Sequence, residues 1–495
     1  MPKKSYIFTF VSAVLFSLSF PPFPSGFLAY FSLVFLFFAL ERSKHGHAFK
    51  LGYIWGLVTN SLLLFWIAYA APIAILGAVG AVLALSLYSA LLFVLYNQIQ
   101  KTLKSSAIFF IPFLWVGMEY LRSLGEIGFP WLNLAYTQTY YLELIQYASL
   151  TGVWGVSFWV VWLNVFVFLG IRNFQNLKKA SVWVCAFLIF LILPYIYGRS
   201  VIPDPGKEEG IKIALLQGNI PPEVKWHPDS LDHNFEVYSE MSREAASKEV
   251  DLIVWPETAS PCYLTHEPLY FNWVQSLVES LDTYLLVGSN EYEILGHQKY
   301  VYYNSALFFQ PGTTFPEKYF KMQLVPFSER VPFRDKVHIM DRIELGTADF
   351  SPGRELVIFD HPRGKFAALI CFEVVFPNLV RRLVGRGAEF LVNITNDAWF
   401  GRTHGPFQHA RIAVFRAIEN RISIARCANT GVSMFVDPYG RTSNSTPIFV
   451  RKNLAGEISL RKEKTFYTIN GDWFALGCSL LSLVVLGLSF LPRKS

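Results

Sequence analysis

Three residues of reactive type each stand directly after a short apolar run. Glu257 closes Leu252-Ile253-Val254-Trp255-Pro256-Glu257, Lys321 closes Tyr319-Phe320-Lys321, and Cys371 closes Ala367-Ala368-Leu369-Ile370-Cys371. Taken singly, each has an ordinary structural explanation. A Glu after Trp-Pro is a turn or surface residue, a Lys among aromatics snorkels, and a Cys ending an apolar strand fills a core. Together, a carboxylate, an ammonium and a thiol are the parts of a covalent acyl-transfer site. A free thiol titrates near ~8.5, so at neutral pH it needs a base to take its proton as it attacks. A cation in Lys321's position would stabilise the tetrahedral oxyanion, an effect of ~3–4 kcal/mol per donor in measured cases. Pro377 suits the first turn of a helix following Cys371, and a helix N-terminus near the sulfur would lower the thiol pKa further.

Strand-end positions for all three require a sheet to carry them. The runs Ile211–Leu216, Leu252–Trp255, Tyr284–Gly288, Tyr302–Phe309, Phe366–Ile370, Phe390–Ile394 and Ser433–Val436 are β-branched or aromatic and of strand length. Helical patterns lie between several of them, at Leu231–Ser247, Leu269–Leu281, Asn378–Gly387 and Gln408–Arg421. This alternation predicts a layered α/β domain with one sizeable core.

The rest of the 495 residues has a different character. Hydrophobic residues make up 53% of the chain before its 32 glycines are counted, and only 16% is charged. That exceeds the ~45–50% apolar content, glycine included, of soluble domains and points to a membrane protein. Uncharged apolar runs at about 5–20, 27–40, 51–69, 73–95, 107–120, 152–171, 180–197 and 474–491 predict eight membrane-spanning helices. The first resembles a secretory signal, but Pro21-Pro22-Phe23-Pro24 replaces a cleavage site, so an uncleaved anchor is expected. Of the Lys and Arg in the short connections, twelve fall on one side, Lys3, Arg42, Lys101, Arg172, Arg493 and Lys494 among them. Arg122 stands alone on the other. By the positive-inside rule both termini are cytoplasmic and the region between spans seven and eight faces outward. The expected domains are therefore a seven-span membrane domain (1–198), an extracytoplasmic α/β domain (199–473), and the eighth span with its tail (474–495).

Other chemistries fit poorly. There is no His-Glu-x-x-His, and His404 and His409 lie five apart in an expected loop without a thiol pair, so no metal or other cofactor is expected. A phosphate-binding Gly-rich loop and a basic patch for nucleic acid are also missing. Five cysteines cannot form a disulfide scaffold. Cys262 and Cys427 face the oxidising side and could pair. A transporter would place function in the spans, where charges such as Glu119 and Arg122 lie only at span ends.

The chemistry-bearing segments carry a family resemblance. Trp255-Pro256-Glu257, then Lys321-Met322-Gln323-Leu324-Val325-Pro326-Phe327, then Cys371-Phe372-Glu373 resemble the Glu-Lys-Cys triad of nitrilase-type carbon–nitrogen hydrolases, and Asn396-Asp397-Ala398-Trp399-Phe400 also matches. Seven spans before and one after such a domain is the layout of the apolipoprotein N-acyltransferases. Gly218-Asn219-Ile220-Pro221, Lys225-Trp226 and Leu324–Glu329 are similar to that subgroup.

The resemblance implies a nitrilase-like α-β-β-α sandwich attached to membrane helices in a bacterial inner membrane, with the catalytic domain in the periplasm. It implies Cys371 as a nucleophile acylated by a phospholipid, Glu257 as general base and Lys321 as oxyanion stabiliser. Glu329 would position the lysine, and Trp226 and Glu373 would bind substrate or support the site. Phe372 stands where the family often has Tyr. The implied acceptor is the free α-amino group of a lipoprotein's N-terminal diacylglyceryl-cysteine, reached by ping-pong transfer, and a monomer is expected. A membrane-tethered amidase that releases its acyl group to water is the alternative. A flap at Phe315–Phe333, or else a packed loop, and an interfacial belt or lipid entrance in the 121–151 loop (Trp131, Tyr136, Tyr140, Tyr141) complete the expectations.

Overall fold

The computed structural model describes residues 2–41, 43–69, 74–204, 210–296, 299–334, 336 and 349–491. Arg42, Arg493 and Lys494, counted above among the basic residues, lie outside them. The chain divides into two compact units. One comprises Met1–Leu124, Gly128–Asp204 and Asn470–Ser495, the other Gly125–Ile127 and Pro205–Ile469.

The first unit is helical, and every one of the eight apolar runs forms helix. Five stretches among the described residues are long and apolar enough to cross a membrane: His45–Tyr69, Ile75–Arg122, Val153–Arg172, Leu177–Val201 and Trp473–Phe490. The number differs from eight for identifiable reasons. The first run gives a 17-residue helix, Pro2–Leu18. The second is broken into Gly26–Leu28, Ala29–Ser32 and Val34–Leu40. The fourth and fifth join into one 48-residue stretch. At 1.5 Å per residue that stretch is far longer than a bilayer's ~30 Å core. Lys104, at φ 50°, interrupts it, because an α-helix does not continue through the left-handed region.

A buried amide in this unit finds backbone partners, as a low-dielectric interior favours. Asn164 is fully buried. Its Nδ2 donates to Ala29 O at 2.7 Å and its Oδ1 accepts from Leu33 N at 2.8 Å, which staples the broken second segment to the helix Val153–Arg172. The 128–151 connection corrects one expectation. Trp131 and Tyr136 are each only 2% exposed, so they belong to the packed interior and not to an interfacial belt. Tyr140 and Tyr141 donate their hydroxyls to Pro22 O and Pro24 O.

The second unit contains two sheets. In the first the strand order is β13 (Lys452–Ser459), β1 (Gly210–Gln217), β2 (Leu252–Val254), β4 (Tyr284–Leu295), β5 (Lys299–Phe309) and β6 (Glu317–Phe320), with β3 (Ser260–Tyr263) also paired to β4. In the second the order is β12 (Thr442–Ser443), β11 (Met434–Val436), β10 (Ser423–Ala428), β9 (Phe390–Thr395), β8 (Gly364–Ile370) and β7 (Phe359–His361). Side chains alternate along each strand, and here both faces are apolar. In β1, Ile211, Ile213 and Leu215 join Val254, Leu286, Phe308, Phe366, Ile370, Val392 and Phe435 in one core. Ala214 and Leu216 point the other way, against Phe235, Tyr238 and Met241 of the helix Leu231–Ala246.

That helix buries one stripe and exposes Asp232, Glu236, Glu240 and Glu244 on the other. The helices Pro377–Gly385 and Gly405–Asn420 connect strands of the second sheet. The result is the α-β-β-α sandwich expected from the resemblance. The second of these helices contains His409, so that residue is not in a loop.

One close approach sets where Glu257 lies. A Cβ on Gly288 of β4 would stand 2.3 Å from Pro256 O and 2.7 Å from Glu257 Cα, so only glycine lets the chain after β2 pass there. Gly288→Ala is expected to cost about 1–3 kcal/mol, in line with other overpacked cores. Thermal unfolding in detergent checks it, and an unchanged midpoint would show that the chain can shift freely.

Candidate active site

Glu257 emerges from β2 through Trp255 and Pro256. Trp255 is fully buried, stacked on Tyr238 at 5.1 Å, with its indole N–H donating to Ser242 Oγ at 2.9 Å. This anchoring leaves the Glu257 carboxylate in a nearly dry pocket, where Oε1 accepts from Asn304 Nδ2 at 2.8 Å and Oε2 from the backbone N–H of Asn396 at 2.8 Å.

Lys321 follows β6. Its backbone N–H donates to Asn304 O at 2.9 Å, and the side chain is 1% exposed. The ammonium donates to Glu329 Oε1 at 2.8 Å and lies 3.5 Å from Glu257 Oε1. Burial pulls its pKa down, but the carboxylates of Glu329 and Glu257 outweigh that, and it ends above the ordinary lysine value. Glu329 is held from its other oxygen by the N–H of Val325 at 2.8 Å.

Cys371 follows β8 and begins a short 3₁₀ turn, Cys371–Val375, with its backbone at φ 52°. A left-handed nucleophile position at a strand-to-helix turn presents the side chain above the sheet, at a cost in backbone strain. The thiol lies within electrostatic reach of both Glu257 and Lys321. Its pKa is raised well above the ordinary thiol value. Burial is the largest cause and the Glu257 carboxylate adds to it, while Lys321 and a hydrogen bond with Thr395 oppose them. This reverses the expected depression by a helix N-terminus: the helix at Pro377 begins only after the 3₁₀ turn, and desolvation of the sulfur prevails.

Glu373 is fully buried. Its Oε2 accepts from Ile370 N at 2.7 Å, and its Oε1 accepts from Tyr319 OH at 2.7 Å, Met322 N at 2.7 Å and Gln323 N at 3.2 Å. One carboxylate thus ties the turn carrying Cys371 to the segment carrying Lys321. Phe372 packs edge-on against Phe376 at 5.0 Å and is a core residue. Trp226 is 45% exposed and its side chain joins none of these contacts. Within Phe315–Phe333, Tyr319 and Val331 are buried, whereas Phe315 and Phe327 are exposed.

Two further participants carry no role in the sequence reading. Asn304 bridges the two acidic groups, with Nδ2 also 3.2 Å from Glu329 Oε1. The available signal was an amide in the apolar run Tyr302–Phe309. Lys225 is buried and donates to Glu257 O at 3.3 Å and Thr258 Oγ1 at 3.1 Å. Burial lowers its pKa to about 8, against the pull of Glu257. Cys262 and Cys427 are free thiols: Cys427 donates to Val254 O at 3.3 Å, and Cys262 lies beside Ser260 Oγ. Among the described residues no three His, Cys, Asp or Glu are grouped as a metal site.

A two-sheet sandwich with Glu257, Lys321 and Cys371 gathered at its strand ends defines a carbon–nitrogen hydrolase domain. The Carbon-nitrogen hydrolase family model matches residues 212–461, and the model for the Apolipoprotein N-acyltransferase N-terminal domain matches 12–166. The Apolipoprotein N-acyltransferase of Geobacter metallireducens is 37% identical, the match covering 100% of this chain and 97% of that protein. That of Chlorobaculum tepidum is 32% identical over 95% and 93%. The chain belongs to the apolipoprotein N-acyltransferase family. Among solved structures, Nit3 of Saccharomyces cerevisiae, a member of branch 10 of the nitrilase superfamily, aligns with 51% of this chain and 90% of its own at 20% identity, with a TM-score of 0.39.

A raised thiol pKa has a direct kinetic signature. Alkylation of Cys371 by a small neutral electrophile, followed by peptide mass spectrometry, is expected to be slow at pH 7 and to keep rising about tenfold per pH unit through pH 9, as the scarce thiolate grows. A plateau below pH 8 would mean that the sulfur is ionised at rest.

Proposed function

We propose that this protein transfers a fatty acyl group from a membrane phospholipid to the free α-amino group of the N-terminal diacylglyceryl-cysteine of an apolipoprotein, through a thioester on Cys371. The observation that carries the reading is the nearly dry cluster in which Lys321 pairs with Glu257 and Glu329 beside the Cys371 thiol. Membership of a family whose curated relatives bear this activity in their names supports it.

In the first half-reaction the sulfur attacks the ester carbonyl of the donor while Glu257 takes the thiol proton. Lys321 stabilises the developing oxyanion. Collapse breaks the ester C–O bond, and Glu257 returns the proton to the departing lysophospholipid hydroxyl. In the second half the acceptor amine attacks the thioester and gives up a proton to Glu257. The C–S bond then breaks, and the sulfur leaves as the thiol with that proton. Two substrates using one site in turn give ping-pong kinetics. Glu329 and Asn304 keep Lys321 and Glu257 in place, Glu373 fixes the turn, and exposed Trp226 is left to meet substrate.

The same reading places the enzyme in a bacterial inner membrane as a monomer, with 199–473 in the periplasm and both termini cytoplasmic. The sided distribution of Lys and Arg supports this orientation.

Intact-protein mass spectrometry tests the chemistry. Wild-type enzyme incubated with phospholipid is expected to gain one acyl adduct and to lose it to a lipopeptide amine. Cys371→Ala should gain none, and Glu257→Gln should slow adduct formation at least 10²-fold, the low end for a general base. An adduct that persists in Cys371→Ala would overturn the assignment. Rapid loss of the wild-type adduct to water, with no dependence on amine, would favour the amidase reading.

A further inference from the structure

Behind the turn that carries Cys371 lies a buried polar group of side chains that the acyl-transfer steps do not use. Asp397, His409 and Arg426 are each fully buried, and they come from the 3₁₀ turn Asp397–Phe400, the helix Gly405–Asn420 and β10. Arg426 Nη2 donates to Asp397 Oδ2 at 3.0 Å, and its Nη1 donates to Asn393 Oδ1. Thr395 Oγ1 donates to Asp397 Oδ1 at 3.1 Å. One edge of the His409 ring is fixed here, with Nδ1 2.9 Å from Asp397 Oδ1 and 3.1 Å from Arg426 Nη2. The other edge meets the nucleophile's own backbone, with Nε2 3.1 Å from Cys371 O. A carbonyl oxygen only accepts, so Nε2 carries the hydrogen and donates it.

The contact falls where the backbone most needs holding. Cys371 has φ 52°, a region that a residue with a Cβ occupies only when its surroundings over-determine it. Glu373 holds the N–H of the preceding residue, Ile370, and His409 holds the carbonyl of Cys371 itself. Release of that carbonyl would let the residue relax towards a common backbone conformation and swing its sulfur away from Glu257 and Lys321.

We propose that Asp397, His409 and Arg426 form a brace that positions the nucleophile: Asp397 and Arg426 orient the imidazole, and His409 Nε2–H holds the Cys371 carbonyl so that the sulfur faces Glu257 and Lys321. The proposal rests on the reading of Cys371 as the acylated residue. His409 is a positioning residue, because it touches the main chain of the nucleophile and not the reacting atoms. The brace therefore acts on the rate of attack and leaves donor binding alone.

The test is single-turnover acylation of the full-length enzyme in detergent with labelled phospholipid, at varied donor concentration. His409→Leu removes the donor. In His409→Gln an amide N–H can take the place of Nε2–H, and in His409→Asn the amide is too short to reach Cys371 O. The expected result is an acylation rate about 10²-fold lower in His409→Leu and His409→Asn, the loss typical of reacting atoms displaced by ~1 Å. Half-saturating donor concentration should not change, and His409→Gln should recover most of the rate. Should His409→Leu fail to fold, the Asn and Gln pair carries the comparison.

Wild-type rates in a folded Leu or Asn variant would overturn the brace, as would a folded Gln variant no faster than Asn. A wild-type enzyme that forms no adduct on Cys371 would instead sink the acyl-transfer reading on which the brace rests.

Discussion

A lysine ammonium taken out of water dominates the second unit. Removing such an ion from solvent costs several kcal/mol unless charges and hydrogen bonds replace the water. Lys321 meets that demand with Glu329 at 2.8 Å and Glu257 at 3.5 Å. Two carboxylates around one ammonium leave surplus negative charge, and Asn304 reaches both of them with the same amide nitrogen. Burial is the main reason that the Cys371 thiol is pushed above its ordinary pKa, and the Glu257 carboxylate beside it adds to the shift. On the proposed reading its proton leaves only as the new bond forms, towards the carboxylate already in place.

The two sheets serve this cluster by delivering its members from opposite sides of one core. Glu257 and Lys321 follow β2 and β6 of the first sheet, and Cys371 follows β8 of the second. Their relative position therefore depends on how the sheets pack, and Glu373 makes that dependence specific. Its two oxygens collect three backbone N–H groups and one hydroxyl from the segments around Lys321 and Cys371. A buried carboxylate with all these donors is a rigid joint, whereas the same carboxylate with an unfilled place would be a liability.

Much of the sandwich was legible because its signals are local. β1, β8 and β9 are apolar on both faces and of strand length, and the helix Leu231–Ala246 carries its apolar stripe in plain view. β10 escaped notice because Arg426 interrupts its apolar run. That charge is tolerated because Asp397, just past the end of the neighbouring strand β9, meets it at 3.0 Å. The aromatic 121–151 segment misled in the opposite way. Trp131 and Tyr136 have the composition of an interfacial belt, yet their burial depends on helices elsewhere in the chain. The eight apolar runs were readable as helices, but the break of the second into three short pieces is a matter of backbone geometry that no hydropathy window detects.

By itself, the sequence determined the types of element and the identity of the residues at their ends, since periodicity and turn chemistry act over a few neighbours. Only the tertiary structure decided that burial raises the pKa of the Cys371 thiol, that Asn304 sits between two acids, and that His409 grips the carbonyl of Cys371. Each of these is a matter of desolvation or of a contact between segments far apart in number, and neither can be read from the residues on either side.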